Sequence, residues 1–274
     1  MTTVVAALAA ARQRIPAAEA RLLLGYVLGR SAAWLEAHRD DPVDVADAYS
    51  ALVGRRAAGE PVAYLIGLRE FYGRDFVVSP AVLIPRPETE FLVDIVKAKV
   101  GAGETAKVLD LGTGSGCIAI SLALELPGAQ VTAADVSPAA LAVARANAAR
   151  LGAQVEFIES DWFSALPNIH FDLVVANPPY VAAGDPHLSA GDLRFEPTGA
   201  LTDHADGLAA IRHIVAEAPL WMAADGWLFF EHGYDQGADV RELLEAAGFT
   251  LIEQHRDLAG IVRASGGRYC SFRE

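Results

Sequence analysis

Apolar positions recur at three- and four-residue spacing through VVAALAAARQRI, AAEARLLLGYVLG, SAAWLEAHRD and VADAYSALVGRRAAG, the period of amphipathic helices. Pro16, Gly29, Pro42 and Gly59 fall between these runs and end them. The spacing predicts four short helices with short connections, a small helical bundle over residues 1–72. At Phe71 the pattern breaks. FYGRDFVVSPAVLIPRPETE mixes alternating and branched residues with Gly73, Pro80, Pro85 and Pro87, and reads as a hairpin or extended linker over 73–90. Pro87 stands where a helix can begin, Glu88 and Glu90 suit a first turn, and FLVDIVKAKV continues it.

From Lys107 the period alternates between strand and helix. KVLDLG, VTAADV, QVEFIES, FDLVVANPP and WLFFEHG read as strands, with TLIEQHRD and GRYCSFR closing the chain. CIAISLALEL, PAALAVARANAARLG, LAAIRHIVAEAPLWM and DVRELLEAAGF read as helices between them. Alternation of this kind predicts an α/β domain over 91–274 with a mostly parallel, doubly wound sheet. Two consecutive strands at the end predict an antiparallel C-terminal edge.

Composition narrows the class. Hydrophobic residues make up 53% of the 274 residues and charged residues 21%, enough for a sizeable core and too apolar for a disordered chain. The net charge is −13, and residues 1–80 balance nine Arg against nine Asp and Glu, so all of it lies in 81–274. Such a surface argues against direct DNA binding. Cys117 and Cys270 make no disulfide framework and fit a reducing, cytoplasmic setting. No apolar run is long enough to span a membrane, and no His/Cys cluster has metal-ligand spacing.

VLDLG runs into Gly112, Thr113, Gly114, Ser115 and Gly116, and a helix follows. Glycines let the backbone turn tightly against a ligand, and the helix start adds free N–H donors. Asp135 ends the next strand, where its carboxylate can bind both hydroxyls of a ribose. A dinucleotide fingerprint needs GxGxxG, but here the third glycine comes one residue early. Asp110 precedes the loop and is placed to meet a cationic group, which suits S-adenosylmethionine better than a pyrophosphate. Asp161 and Trp162 end the third strand. The aspartate there can take an adenine amino group, and Trp162 or Phe163 can cover the ring.

The fourth strand ends in Asn177, Pro178, Pro179 and Tyr180. Two prolines stop the strand and stiffen the turn, exposing the Asn177 side-chain oxygen and the Pro178 carbonyl. Both are acceptors, an NH₂ group offers two donors, and Tyr180 offers a flat face. The constellation suits a planar nitrogen nucleophile, an amide or the exocyclic amine of a base. Acceptors aimed at its N–H bonds raise electron density on a nitrogen whose lone pair is otherwise delocalised.

Further segments carry a resemblance to a known family: PVAYLIGLREFYG at 61–73, LIPRPETE at 83–90, VLDLGTGSGCIAI at 108–120, ESDWFSAL at 159–166, NPPY at 177–180, DPHLSAGDLRFEPTGAL at 185–201, LFFEHG at 228–233 and RDLAGIVRASGGRY at 256–269. The chain resembles the HemK/PrmC protein-(glutamine-N5) methyltransferases, which act on peptide chain release factors. The resemblance implies a helical N-terminal domain, a hairpin linker and a Rossmann-like S-adenosylmethionine-dependent methyltransferase domain; the helical bundle carries no catalytic motif and reads as the part that recognises the substrate. The resemblance also implies S-adenosyl-L-methionine as cofactor and methyl transfer to the glutamine of a GGQ motif, in support of translation termination. On the matching positions, Gly112 through Gly116, Asp135 and Trp162 contact the cofactor, with Asn177 at its reacting end. Asn177, Pro178, Pro179 and Tyr180 hold the glutamine amide, and Asn177, Pro178 and Tyr180 carry the catalysis. Asp161 rests on the strand-end argument alone.

GTGSG and NPPY do not by themselves fix the substrate. A glutamine methyltransferase of a ribosomal protein, an amino-methyltransferase of a nucleic-acid base, a nucleoside-binding regulator and an NAD oxidoreductase stay open on the residues. Arg86 reads equally as a cofactor gate or carboxylate partner and as a structural residue. Asp185, His187, Asp192 and Arg194 fall in a loop that can shape substrate access. Glu231 and His232 read as structural.

Overall fold

The computed structural model describes residues 2–44, 46–101, 103–257 and 259–270. The chain divides into two compact units, one of residues 1–68 with 190–195, the other of 69–189 with 196–274.

In the first unit β1 (Thr2–Thr3) precedes α1 (Val4–Ala11), α2 (Ala17–Leu28), α3 (Ala32–Ala37), β2 (Pro42–Val43), α4 (Ala46–Ala57) and α5 (Val62–Ile66). Thr3 and Ser31 cap α1 and α3 by accepting the backbone N–H three residues on. Val4, Leu8, Leu23, Leu24, Leu35 and Val53 are buried between the helices. The four expected helices form, with shorter ends. α1 stops at Ala11 and gives way to turns through Arg14, and Ile15, which precedes Pro16, is disfavoured in the helical region. Val45, the expected start of the fourth, lies outside the described residues. The sequence reading missed α5 and the two-residue β1–β2 pair, which are too short to establish a period. Segment 190–195 belongs to this unit. Asp192 accepts from Arg56 at 2.9 Å, Arg56 also grips Glu19 at 2.7 Å, and Arg194 donates to the Ala58 carbonyl.

The second unit begins with the hairpin of β3 (Leu68–Phe71) and β4 (Arg74–Val77), and continues through a 3₁₀ turn (Pro87–Thr89) into α6 (Glu90–Val100). Then follow β5 (Lys107–Leu111), α7 (Cys117–Glu125), β6 (Gln130–Asp135), α8 (Pro138–Leu151), β7 (Glu156–Glu159) and β8 (Phe171–Ala176). After a long connection with two 3₁₀ turns (Pro186–Ser189 and Leu193–Phe195) and one α-helical turn, α9 (Thr198–Leu201), come α10 (Ala209–Trp221), β9 (Met222–Glu231), α11 (Gly237–Ala246), β10 (Phe249–Arg256) and β11 (Val262–Tyr269).

Among the described residues seven strands form one sheet in the order β10-β11-β9-β8-β5-β6-β7. The pairs from β9 through β7 are parallel, and β11 runs antiparallel to both its neighbours. Along β8, Leu173 and Val175 face one core while Val174 and Ala176 face the other, the period-2 pattern of a strand covered on both sides. α6, α7 and α8 pack on the first face, α10 and α11 on the second. The expected antiparallel edge is present, with one correction. The last strand spans Val262–Tyr269 instead of starting at Gly267, and it inserts between β9 and β10. Gly266 permits this, since a Cβ there would lie 2.1 Å from the Leu228 carbonyl. Positions 271–273 of the expected strand lie outside the described residues.

Asn147, wholly buried in α8, ties the hairpin to the glycine loop. Its Oδ1 accepts from Val77 N at 2.7 Å, and its Nδ2 donates to Val77 O at 3.0 Å and Ser115 O at 2.9 Å. Asn147→Leu leaves these backbone groups without partners. It is expected to cost about 3–5 kcal/mol, a Tm lower by about 10 °C in a thermal melt. An unchanged melting curve would show that the hairpin is anchored elsewhere.

Candidate active site

Strand register assembles the site. Leu111, the last residue of β5, pairs with Ala134 of β6 and Ala176 of β8, and Asp135 pairs with Glu159 of β7. The residues that follow these strands therefore leave the sheet along one rim. This is also where the chain switches from winding toward β7 to winding toward β9, the place where open α/β sheets hold ligands. A cavity of about 320 Å³ opens there. Gly112, Thr113, Gly114, Ser115, Asp135, Asp161, Trp162, Asn177 and Pro179 line it; Gly116, Pro178 and Tyr180 do not.

The glycine loop is held from behind. Gly112 N and Thr113 N donate to the Ala134 carbonyl at 2.8 and 3.0 Å. Gly116, at φ 82°, opens α7 so closely packed that a Cβ would lie 2.7 Å from Ile120 Cδ1 and 3.1 Å from Ala144 Cβ. Asp135 accepts from Gly114 N and from Ser137 N, each at 2.9 Å, so its carboxylate faces the cavity in a fixed position. Burial raises its pKa, and the Ser137 and Gly114 N–H groups oppose that shift.

Trp162 stands at φ 48°, and its ring comes within 3.9 Å of where a Gly112 Cβ would be. Ser160 fixes that turn by donating to Trp162 O at 2.9 Å and accepting from Ala165 N at 3.0 Å. Between the two aromatic candidates the packing decides: Trp162 lines the cavity, while Phe163 is buried and stacks on Trp221. Asp161 is exposed at the rim.

Asp110 departs from expectation. It does not line the cavity but lies fully buried beneath the loop, accepting from Thr113 Oγ1 at 2.7 Å and from Ala119 N at the start of α7 at 3.3 Å. Its Oδ1 has no partner among the described residues. Burial, with the Asp135 charge adding to it, pushes its pKa up to about 7. The folded state thus binds a proton that the unfolded chain has lost, so this group's contribution to stability declines as pH rises from about 4 to about 7. Asp110→Asn is expected to flatten that decline, which denaturation midpoints at pH 5 and pH 8 measure. Equal slopes in the two proteins would exclude a raised pKa.

Asn177 is the other buried polar group left open. Its Nδ2 donates to Thr89 Oγ1 at 3.1 Å, while its Oδ1 is buried without a partner among the described residues.

Comparison with known proteins places this arrangement. The PrmC N-terminal domain model matches residues 1–67, and the methyltransferase small domain model matches 87–195. The chain is 55% identical over 263 residues to the release factor glutamine methyltransferase of Burkholderia pseudomallei, covering 93% of this chain and 92% of that protein. Identity to the Bordetella pertussis protein of the same name is 54% over 256 residues, covering 92% and 95%. The chain belongs to the release factor glutamine methyltransferase family. Among solved structures, the Thermus thermophilus 16S rRNA N2 G1207 methyltransferase RsmC, in complex with AdoMet and guanosine, superposes with a TM-score of 0.55 at 19% identity. The match covers 74% of this chain and 49% of that one, and shows the likeness of fold.

For this member of the family the structure also brings in residues that sequence reasoning left out. Glu231, read as structural, is buried at the end of β9 with both oxygens engaged, by Thr89 Oγ1 at 2.7 Å and by Tyr180 OH at 3.0 Å. Thr89 was hidden inside LIPRPETE, whose local signals, Pro87 with Glu88 and Glu90, mark only the start of a helix. His232 is structural as expected, between Ser265 Oγ and the Gly233 carbonyl at 2.8 Å each, and burial lowers its pKa. Arg86 lines the cavity and also pairs with buried Glu196 at 2.5 Å, whose other oxygen accepts from Ile84 N at 3.0 Å. Of the loop residues, Asp185 and His187 pair with each other at 2.7 Å on the surface, and Asp192 and Arg194 serve the helical unit. Among the described residues no helix is long and apolar enough to cross a membrane.

Proposed function

We propose that this protein methylates the side-chain amide nitrogen of the glutamine in the GGQ motif of peptide chain release factors, in the cytoplasm, with S-adenosyl-L-methionine as cofactor. One observation carries the chemistry. Asn177 Oδ1 is a buried acceptor without a partner, in a residue that lines the cavity of the glycine loop. Leaving such an atom unpaired costs about 1–3 kcal/mol, a cost that a substrate N–H offsets.

The lining suits the cofactor. Gly112, Gly114 and Gly116 leave the loop open at left-handed φ, Asp135 presents a carboxylate for the ribose hydroxyls, Asp161 stands at the rim for the adenine amino group, and Trp162 supplies a flat wall. When bound, the cofactor supplies an electrophilic methyl group on a sulfonium. The chain does the rest. Asn177 Oδ1 and the Pro178 carbonyl accept the amide N–H bonds, which shifts electron density onto nitrogen and favours its pyramidal form. Pro179 stiffens the turn, and Tyr180, anchored through its hydroxyl to Glu231, holds the turn in place. Proton loss to water follows transfer. The helical unit of residues 1–68 serves recognition of the protein substrate.

Incubating the protein with labelled S-adenosylmethionine and a release factor, beside its GGQ→GGA variant, tests the reading. Label in the first alone is expected. Label in neither, with cofactor binding intact, would move the substrate to another protein or a base.

A further inference from the structure

Thr89 has no part in the chemistry assigned so far and Glu231 enters it only as the anchor of Tyr180, yet the two meet beside its central acceptor. Both are buried, with 3% and 4% of their surface exposed. A threonine hydroxyl has one proton, and here it stands 2.7 Å from Glu231 Oε2. A hydrogen bond from a hydroxyl to a carboxylate is about twice as strong as one to a neutral amide oxygen. The proton is therefore committed to Glu231, and toward Asn177 the hydroxyl offers only lone pairs. An amide facing lone pairs must present its NH₂ group, at the 3.1 Å contact from Nδ2. Its oxygen is then forced to the opposite side.

We propose that Thr89 and Glu231 are positioning residues that set the rotamer of the Asn177 amide, so that Oδ1 is turned out to accept a substrate N–H. This inference rests on the reading of Asn177 as the acceptor of the glutamine amide. Without the pair, the Asn177 amide flips at little cost, and the flipped side chain offers a donor to a nitrogen that itself carries only donors. That arrangement repels the substrate amide in its reacting geometry. The effect falls on kcat, because the contact strengthens as the nitrogen becomes pyramidal.

Tyr180 OH, at 3.0 Å from Glu231 Oε1, occupies the second oxygen. Two hydroxyls donating to one carboxyl group favour its ionised form, whose oxygens only accept. Burial raises the Glu231 pKa and Glu88 adds to that, while the Thr89 and Tyr180 hydroxyls and Arg263 on β11 oppose the shift.

The full-length protein tests the proposal through Thr89→Val, which keeps shape and removes the hydroxyl, Thr89→Ser, which restores it, and Glu231→Gln. Thr89→Val and Glu231→Gln are each expected to lower kcat about 10- to 100-fold, the loss of one buried, charge-coupled hydrogen bond, with cofactor Kd and substrate KM little changed. Combining them is expected to cost no more than the worse of the two, as for residues of one unit. Thr89→Ser is expected to recover most of kcat. A kcat for Thr89→Val near wild type, equal damage by Thr89→Ser, or loss of cofactor binding in step with kcat would each overturn it.

A second readout needs no substrate. The Asn177 side-chain amide protons, assigned by their absence in Asn177→Ala, are expected to exchange slowly with solvent in wild type and Thr89→Ser, and faster in Thr89→Val. Equal exchange in all three overturns the proposal. Slow exchange in a wild type that methylates no release factor would instead count against the proposed function and leave the positioning intact.

Discussion

Asn177→Ala is expected to lower kcat about 10²–10³-fold, the effect of deleting one preorganised polar group at a reacting centre. The cofactor should still bind. The glycine loop hangs from β5, α7 and Asp135, and none of its observed hydrogen bonds involves Asn177. Calorimetry with S-adenosylmethionine, beside single-turnover methylation, separates the two effects. Asn177→Asp keeps oxygen acceptors but is expected to rescue little. The new carboxylate would stand next to Thr89, whose proton is already given to the buried Glu231, and two anions would share one hydroxyl. An Asn177→Ala protein with normal kcat would remove the NPPY turn from the chemistry.

Asp135→Ala is expected to weaken cofactor binding about 100-fold, through two effects. The carboxylate is the acceptor for the ribose hydroxyls, and losing charge-assisted hydrogen bonds of this kind costs about 1.5–3 kcal/mol each. It also orders the rim, since Gly114 N and Ser137 N both donate to it at 2.9 Å. Asp135→Asn should lie between, with the charge gone and one acceptor kept. Because burial raises this pKa, and the ionised form is the one that accepts, affinity in wild type should fall as pH drops toward the carboxylate range. The Asn variant should lack that dependence. A Kd within about threefold of wild type for Asp135→Ala would sink the ribose assignment.

Much of the molecule was legible in the chain. The core strands were legible as short apolar or β-branched runs bounded by turn signals, and every expected strand from KVLDLG to TLIEQHRD is present, although β9 starts at Met222, inside the expected helix, instead of at Trp227. The glycine loop and NPPY were legible because each is local. A tight turn after a strand needs particular residues at particular offsets, and the offsets are contiguous. Elements shorter than two turns or three residues, such as α5 and the β1–β2 pair, carry too few positions for a period to emerge. β11 was placed late because its start, IVRASG, owes its strand conformation to neighbours on both sides rather than to apolar alternation.

The sequence by itself therefore determined the alternating α/β architecture, the helical start, the family and the contiguous motifs of the site. Those follow from short-range sterics and hydrophobic period, which are written residue by residue. Only the tertiary structure decided which of Trp162 and Phe163 faces the cavity, that Asp110 works under the loop rather than in it, and that Thr89, Asn177, Tyr180 and Glu231 form one buried cluster. These residues are separated by as many as 142 positions, and a hydroxyl's single proton acquires a direction only when its acceptor has been brought within reach.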